Sequence, residues 1–361
     1  MEYGCVAAVV AFSDAWYSTC NPFEWVIEIV ARIIWGAAVL AISATAIWLA
    51  FRSVAWAELY DAAVRMEYQY IPLALLGLFA SLLIRTERWR LLLPQERQIR
   101  RRDLFSAVMI GYMAISILPF RVGEAARVYA ANRIAGVAIA DAVAALLIEH
   151  VLDLGTLLLL LFWQWPGLKS YQWVQEIYLL GIGILAFSVC VIGGILMFST
   201  KVLLILDRAD GIAPRWIVNL GLSSAVSTGI QAVHRLQSPR LLITLMIWSV
   251  LTWLFACGFN AGFLRALGVE GVIEGSVLTI ILTNFAALIP STPGYIGVYD
   301  LAAVTALSVL GVSSAVALAF ALTSHFALLV TFVISGVVAI IANGLGWRSF
   351  TADVQSVRNK I

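Results

Sequence analysis

The sequence predicts an all-α integral membrane protein: a polytopic helical bundle of two inverted-topology repeats, each containing a re-entrant helix hairpin. Three observations carry that prediction. Of the 361 residues, 62% are hydrophobic and only 12% charged, at a mean hydropathy of +0.95, whereas soluble domains run near half apolar and a quarter charged. Several separate stretches stay apolar over the ~20 residues a helix needs to cross a bilayer. Two distant segments also repeat the same order of proline, glycine and histidine. The composition excludes an ordinary water-soluble enzyme, and a net charge of +2 calls for no nucleic-acid or acidic partner.

Spanning helices are expected over residues 33–51, 70–93, 139–163, 177–198, 241–263 and 315–341, several with Trp or Tyr near an end as interfacial anchors. The second carries Arg85, Arg88 and Arg90 around Trp89. Its arginines are read as snorkelling to lipid phosphates while the helix emerges through the headgroup layer. Residues 85–102 hold seven arginines, 201–240 are basic, and the tail adds Arg348, Arg358 and Lys360. The charge bias puts all three on the cytoplasmic side of the plasma membrane, with the C-terminus in the cytoplasm. That assignment needs 104–118 and 276–289 to enter and leave on one side as re-entrant segments, both ending in proline-bearing turns. Residues 215–237 place apolar side chains at helical spacing and are read as an amphipathic interfacial helix. The resulting division is 1–52 (first crossing), 53–199 (repeat 1), 200–240 (linker), 241–345 (repeat 2) and 346–361 (tail).

The repeat rests on named residues. One copy runs through Pro119, Arg121, Gly123, Glu124, Arg127, Gly136, Glu149 and His150; the other through Pro290, Pro293, Gly294, Gly297, Asp300, Gly311 and His325. Gly136 matches Gly311 and His150 matches His325 at one common offset, while the prolines need a short insertion in the second copy. Three expected crossings separate the copies, so the second should be inverted, as in many transporters.

Each copy holds residues that suit an anion. Pro119 ends an incoming helix, and the next begins with free N–H groups beside Gly123, Arg121 and Arg127, an arrangement suited to phosphate. A blander reading pairs Glu124 with Arg127 at i, i+3. In 139–163, Asp141, Glu149 and Asp153 share one face. Arg121, Arg127 and Arg133 are their expected partners, in a closed salt-bridge lattice or around a carboxylate that titrates. In the second copy Pro290 and Pro293 break the helix, Gly294 and Gly297 free the backbone, and Asn284 and Asp300 add polarity. His325 either shuttles protons or hydrogen-bonds a neighbour.

No Walker A, GxSxG or HExxH motif occurs, so neither ATP hydrolysis nor a metal or other cofactor is expected. Cys190 and Cys257 lie in apolar runs, and Cys5 and Cys20 have no metal-ligand spacing. The start lacks the basic region of a secretory signal, and the segment after the last crossing is too short for a catalytic domain.

The runs LPFRVGEAARVYAANRIAGVAIADAVAALLIEHVLDL and IPSTPGYIGVYDLAAVTALSVLGVSSAVALAFALTSH, with RWRLLL at 88–93, resemble the lysylphosphatidylglycerol synthase transmembrane, or flippase-like, family over roughly residues 70–343. The resemblance implies a lipid translocator without a synthase domain, so lysyl transfer is not implied. It also implies Arg121, Glu124, Arg127, Glu149, Asp153, Pro290, Pro293, Gly294, Gly297 and Asp300 as site residues. The family usually has Arg where this chain has His150, a basic residue near His325, and Glu where this chain has Asp300. A titratable imidazole in place of a permanent cation bears on the coupling ion.

The expected function is movement of an anionic, phosphate-bearing lipid, such as a phospholipid or polyprenyl-phosphate-linked lipid, between leaflets. Its substrate-binding residues would be Arg121, Gly123, Glu124, Arg127, Glu149, His150, Asp153, Asn284, Pro290, Pro293, Gly294, Gly297, Asp300 and His325. The expected partners are the membrane lipid and a separate lipid-modifying enzyme or glycosyltransferase. The competing classes are a membrane enzyme on lipid-linked phosphate or sugar, and a proton-coupled carrier of small anions.

Overall fold

Apolar runs of this length have one way to satisfy their backbone away from water, which is to bond N–H to C=O within the helix. The structure, a computed structural model, describes residues 22–52, 54–94, 98–118, 122–168, 171–212 and 222–345, and among these there is no strand. In chain order the helices are α1 (Pro22–Phe51), α2 (Trp56–Val64), α3 (Ile71–Leu92), α4 (Arg101–Ile117), α5 (Val122–Ala135), α6 (Ile139–Leu168), α7 (Gln172–Ile212), α8 (Leu222–Arg235), α9 (Pro239–Ala266), α10 (Val272–Ala286), α11 (Val298–Val309) and α12 (Ser314–Ala342).

Five are long and apolar enough to cross a membrane: Tyr68–Leu92, Ile139–Gln164, Gln172–Val191, Pro239–Ala266 and Ser314–Ala342. The bent pair α1 and α2, turned by 79°, makes a sixth if it is one span. Large side chains on the outer faces of these helices stand clear of protein, Phe187 at 71% and Phe326 at 68% exposure among them, which suits contact with lipid tails.

From α3 onward the order is span, two short helices, span (α3, α4, α5, α6). The same order returns in α9, α10, α11, α12. The spans α3 and α9 pack together along their length, with Ala74 against Gly262 and Gly77 against the backbone at Phe255, the small-residue contact by which membrane helices approach closely. Helices α4 and α5 form a hairpin tight enough that a Cβ on Gly123 would lie 2.5 Å from the Gly111 carbonyl and 2.4 Å from the Ile115 nitrogen. No residue but glycine fits there.

Two apolar clusters fill the interior. The larger holds Trp89, Leu104, Met109, Phe263 and Phe320 from α3, α4, α9 and α12. The smaller holds Leu161, Trp253, Leu278 and Ile281 from α6, α9 and α10.

One expectation changes, and others fall partly or wholly outside the described residues. The span expected over 177–198 belongs to one continuous helix reaching Ile212, because no proline interrupts it before Pro214. The interfacial helix expected over 215–237 is described as Leu222–Arg235, its first residues lying outside the described chain. Pro119, Arg121, Cys5, Cys20 and the tail from 346 also lie outside the described residues.

Candidate functional site

Arg85 and Arg88 of α3 overturn the snorkelling expectation made for them, whereas Arg90 pairs with Glu87 outside the cavity. The Arg88 side chain is fully buried and Arg85 nearly so. Arg85 donates from Nη1 to Glu149 Oε1 (2.9 Å) and Asp153 Oδ2 (2.8 Å). Arg88 donates from Nη1 to Asp153 Oδ1 (2.7 Å) and Ser249 Oγ (2.9 Å), and its Nη2 lies 3.3 Å from Glu149 Oε1. Arg127 of α5 grips both oxygens of Glu149, at 3.3 and 2.9 Å. The physical reason is spacing. Arg85 and Arg88, three apart on α3, share the face that meets Glu149 and Asp153, four apart on α6. A carboxylate pair at this depth is a stronger partner than a distant headgroup.

Two tryptophans complete the lattice. Arg127 lies 4.0 Å from the centre of the Trp89 ring and Arg85 5.3 Å from that of Trp253, and Trp253 Nε1 donates to Asp153 Oδ1 at 3.0 Å. The cluster therefore ties α3, α5 and α6 to α9 through Ser249 and Trp253. Three guanidiniums meet two carboxylates, which leaves one positive charge over. Arg88 Nε and Arg127 Nε, both buried, have no hydrogen-bond partner.

The lattice forms one wall of a cavity of about 430 Å³, the size of a small-molecule site. Gly123, Glu124, Arg127, Glu149, His150, Asp153, Asn284, Gly294 and His325 line it, together with Arg85 and Trp253. Much of the remaining wall is apolar, from Ile115, Leu154, Leu288, Leu328 and Phe332. Asp300 stands one bond back, behind His325. Pro290, Pro293 and Gly297 shape the loop without lining the cavity, and Arg133 and Asp141 do not line it either.

Each repeated histidine bonds the acid of its own copy. His150 sets Nε2 at 3.1 Å from Glu124 Oε1 and Nδ1 at 2.8 Å from the Leu146 carbonyl. His325 sets Nδ1 at 3.1 Å from Asp300 Oδ1 and Nε2 at 2.8 Å from the Gly294 carbonyl, with the Tyr299 ring stacked at 4.2 Å. The partners lie 26 and 25 residues apart in sequence. Asp300 Oδ2 also accepts from the Gly297 N–H at 2.9 Å. Gly297 takes φ +86°, and a Cβ there would meet the Ser43 carbonyl at 2.6 Å, so the turn into α11 requires glycine. Ser43 of α1 in turn bonds Thr292 through its hydroxyl and accepts from its N–H, both at 3.2 Å.

The lysylphosphatidylglycerol synthase TM region model matches residues 34–336. The chain belongs to that family. Membership in this family gives the chain a membrane-embedded, lipid-related role. No curated protein and no solved structure matches it. Among the described residues no group of His, Cys, Asp and Glu is placed to hold a metal ion.

The sequence reading of the family's site missed Arg85, Arg88, Trp253 and Tyr299. The usable signal was the three-residue spacing of Arg85 and Arg88 opposite a four-residue carboxylate spacing. A tryptophan in mid-span at 253, far from either interface, was the second.

Proposed function

We propose that the protein moves an anionic, phosphate-bearing lipid between leaflets. The observation that carries this reading is the charge surplus of the arginine lattice beside the cavity. Three guanidiniums against two carboxylates leave the lattice one positive charge over, with Arg85 and Arg127 lining a space large enough for a headgroup and the further carboxylate on the wall, Glu124, bonded to His150, and a charge in hydrocarbon otherwise costs several kcal/mol. The apolar side of the cavity suits the start of an acyl chain. Glu149 accepts from Arg85 and Arg127 and touches Arg88, so its lone pairs are committed, which weighs against a general base in a lipid-modifying enzyme.

The doubled order of span, short pair, span supports two inverted-topology repeats over 53–199 and 241–345. The short helices have 17, 14, 15 and 12 residues. At 1.5 Å per residue they reach about 18–26 Å, short of the ~30 Å hydrocarbon layer, which supports reading each pair as a re-entrant hairpin. The bias of the basic segments supports an orientation in the plasma membrane with the C-terminus in the cytoplasm. A separate lipid-modifying enzyme or glycosyltransferase would supply or consume the lipid.

The test places purified full-length protein in vesicles carrying fluorescent phosphatidylglycerol in one leaflet, with a membrane-impermeant quencher outside. Lipid should cross much faster than in protein-free vesicles, and Arg127→Gln should slow it at least about tenfold, from the loss of a charge-assisted contact. Crossing no faster than in empty vesicles overturns the reading. A chemically altered lipid in mass spectrometry would transfer the site to an enzyme.

A further inference from the structure

We infer that the Glu124–His150 and Asp300–His325 pairs are proton-binding sites that couple anion binding in the cavity to proton uptake. This rests on the reading that the cavity takes an anionic headgroup.

The inference follows from counting hydrogens. A neutral imidazole has one N–H and one bare nitrogen. In both histidines both nitrogens face oxygen acceptors: a main-chain carbonyl on one side and a carboxylate on the other. A carbonyl oxygen never donates, so the nitrogen facing it carries hydrogen. The second contact then needs a hydrogen of its own, on the imidazole as a cation or on the carboxyl as an acid. Either way each pair holds one proton more than a neutral histidine beside an ionised carboxylate, and its net charge is zero. Release of that proton leaves each pair at minus one.

The two pairs line, or stand one bond behind the lining of, the same cavity as the arginine lattice. Around His150 the ionisable groups are Glu124 from α5 and Glu149 on its own helix, which in turn bonds Arg85 and Arg127. Around His325 they are Asp300 and Tyr299 from α11 and, beside Gly294, Tyr295, while Tyr112 of α4 lies with the arginine lattice. Among these described groups, the lattice contributes one surplus positive charge and the protonated pairs contribute none. With both protons gone the same groups sum to one negative charge. The charge summed over these groups therefore falls by two between the protonated and deprotonated forms.

An anion binds the protonated form more tightly, and by linkage the bound anion raises the cavity's proton affinity by the same factor. Binding is fully supported below the titration range and weakens as pH rises through it. A proton gradient then biases which side of the membrane releases the anion.

The test is proton uptake by the purified full-length protein in weakly buffered detergent as short-chain phosphatidylglycerol is titrated in. An indicator dye follows the proton, and fluorescence follows binding, over roughly pH 5 to 8, where imidazoles titrate. Wild type should take up protons as lipid binds, and lipid affinity should fall at least about tenfold across the range. His150→Gln and His325→Gln should each lower the protons taken up per lipid bound, and the double variant should take up none. Glu124→Gln, at a more exposed pair, provides a second variant that removes the same proton. Binding without proton uptake, or uptake unchanged in the double variant, overturns the inference. Lipid that binds with proton uptake but never crosses vesicles sinks the transport reading and leaves this one standing. Lipid that does not bind at any pH overturns both.

Discussion

The two histidine–carboxylate pairs share a bonding pattern and differ in surroundings. In the first half the His150 and Glu124 side chains are 46% and 32% exposed, beside an arginine lattice. In the second, His325 and Asp300 are 6% and 7% exposed, closed over by the Gly294 carbonyl and the Tyr299 ring. The first half thus supplies fixed positive charge next to an open pair. The second supplies a sealed pair held by backbone, which accounts for its two positive-φ glycines, Gly294 and Gly297, at the turn. One motif stands open to the cavity in one half and nearly buried against backbone in the other.

Substitutions separate the two roles. The largest effect is expected at Glu149, the carboxylate shared by three guanidiniums. Glu149→Ala leaves buried charge uncompensated and should destabilise the protein by about 3–5 kcal/mol, read as a lower midpoint of thermal unfolding in detergent. A midpoint equal to wild type would remove the lattice as a structural element. Arg127→Lys keeps the charge but loses the two-pronged grip on Glu149 and the stack on Trp89. Anionic lipid binding should weaken on the order of tenfold, measured by fluorescence titration.

Asp300→Asn disturbs a buried carboxylate with two bonds and should cost about 1–3 kcal/mol, whereas Glu124→Gln, at the open pair, should cost at most about 1 kcal/mol. Equal losses in chemical unfolding would mean that the two pairs do not differ in their structural role. Smallest is Ser43→Ala, which removes the bonds to Thr292 and should cost about 0.5–1.5 kcal/mol while loosening the 290–297 loop, visible as faster amide exchange there.

Much of this was legible in the residues. The four-residue spacing of Glu149 and Asp153 on an apolar helix required cations, and Arg127 was within reach of prediction. So was the matching of His150 with His325. Arg85 and Arg88 were not, because an arginine triplet at the end of an apolar helix looks the same whether it faces lipid or protein. Only the packing of α3 against α6 and α9 decides which. The bond between Glu124 and His150 was hidden for a similar reason. It crosses a helix–helix contact, and periodicity along one helix carries no information about the neighbour. The extent of α7 was misjudged because charged residues after the apolar run suggested a loop, although nothing in that stretch interrupts a helix.

The seam between α1 and the 290–297 turn has a mechanical implication. With Gly297 pressed against the Ser43 main chain and Thr292 bonded to its hydroxyl, the turn cannot swing alone. Lifting Gly294 off His325 would also load the seam with the first helix, so opening this side of the cavity would engage α1 as well as the turn.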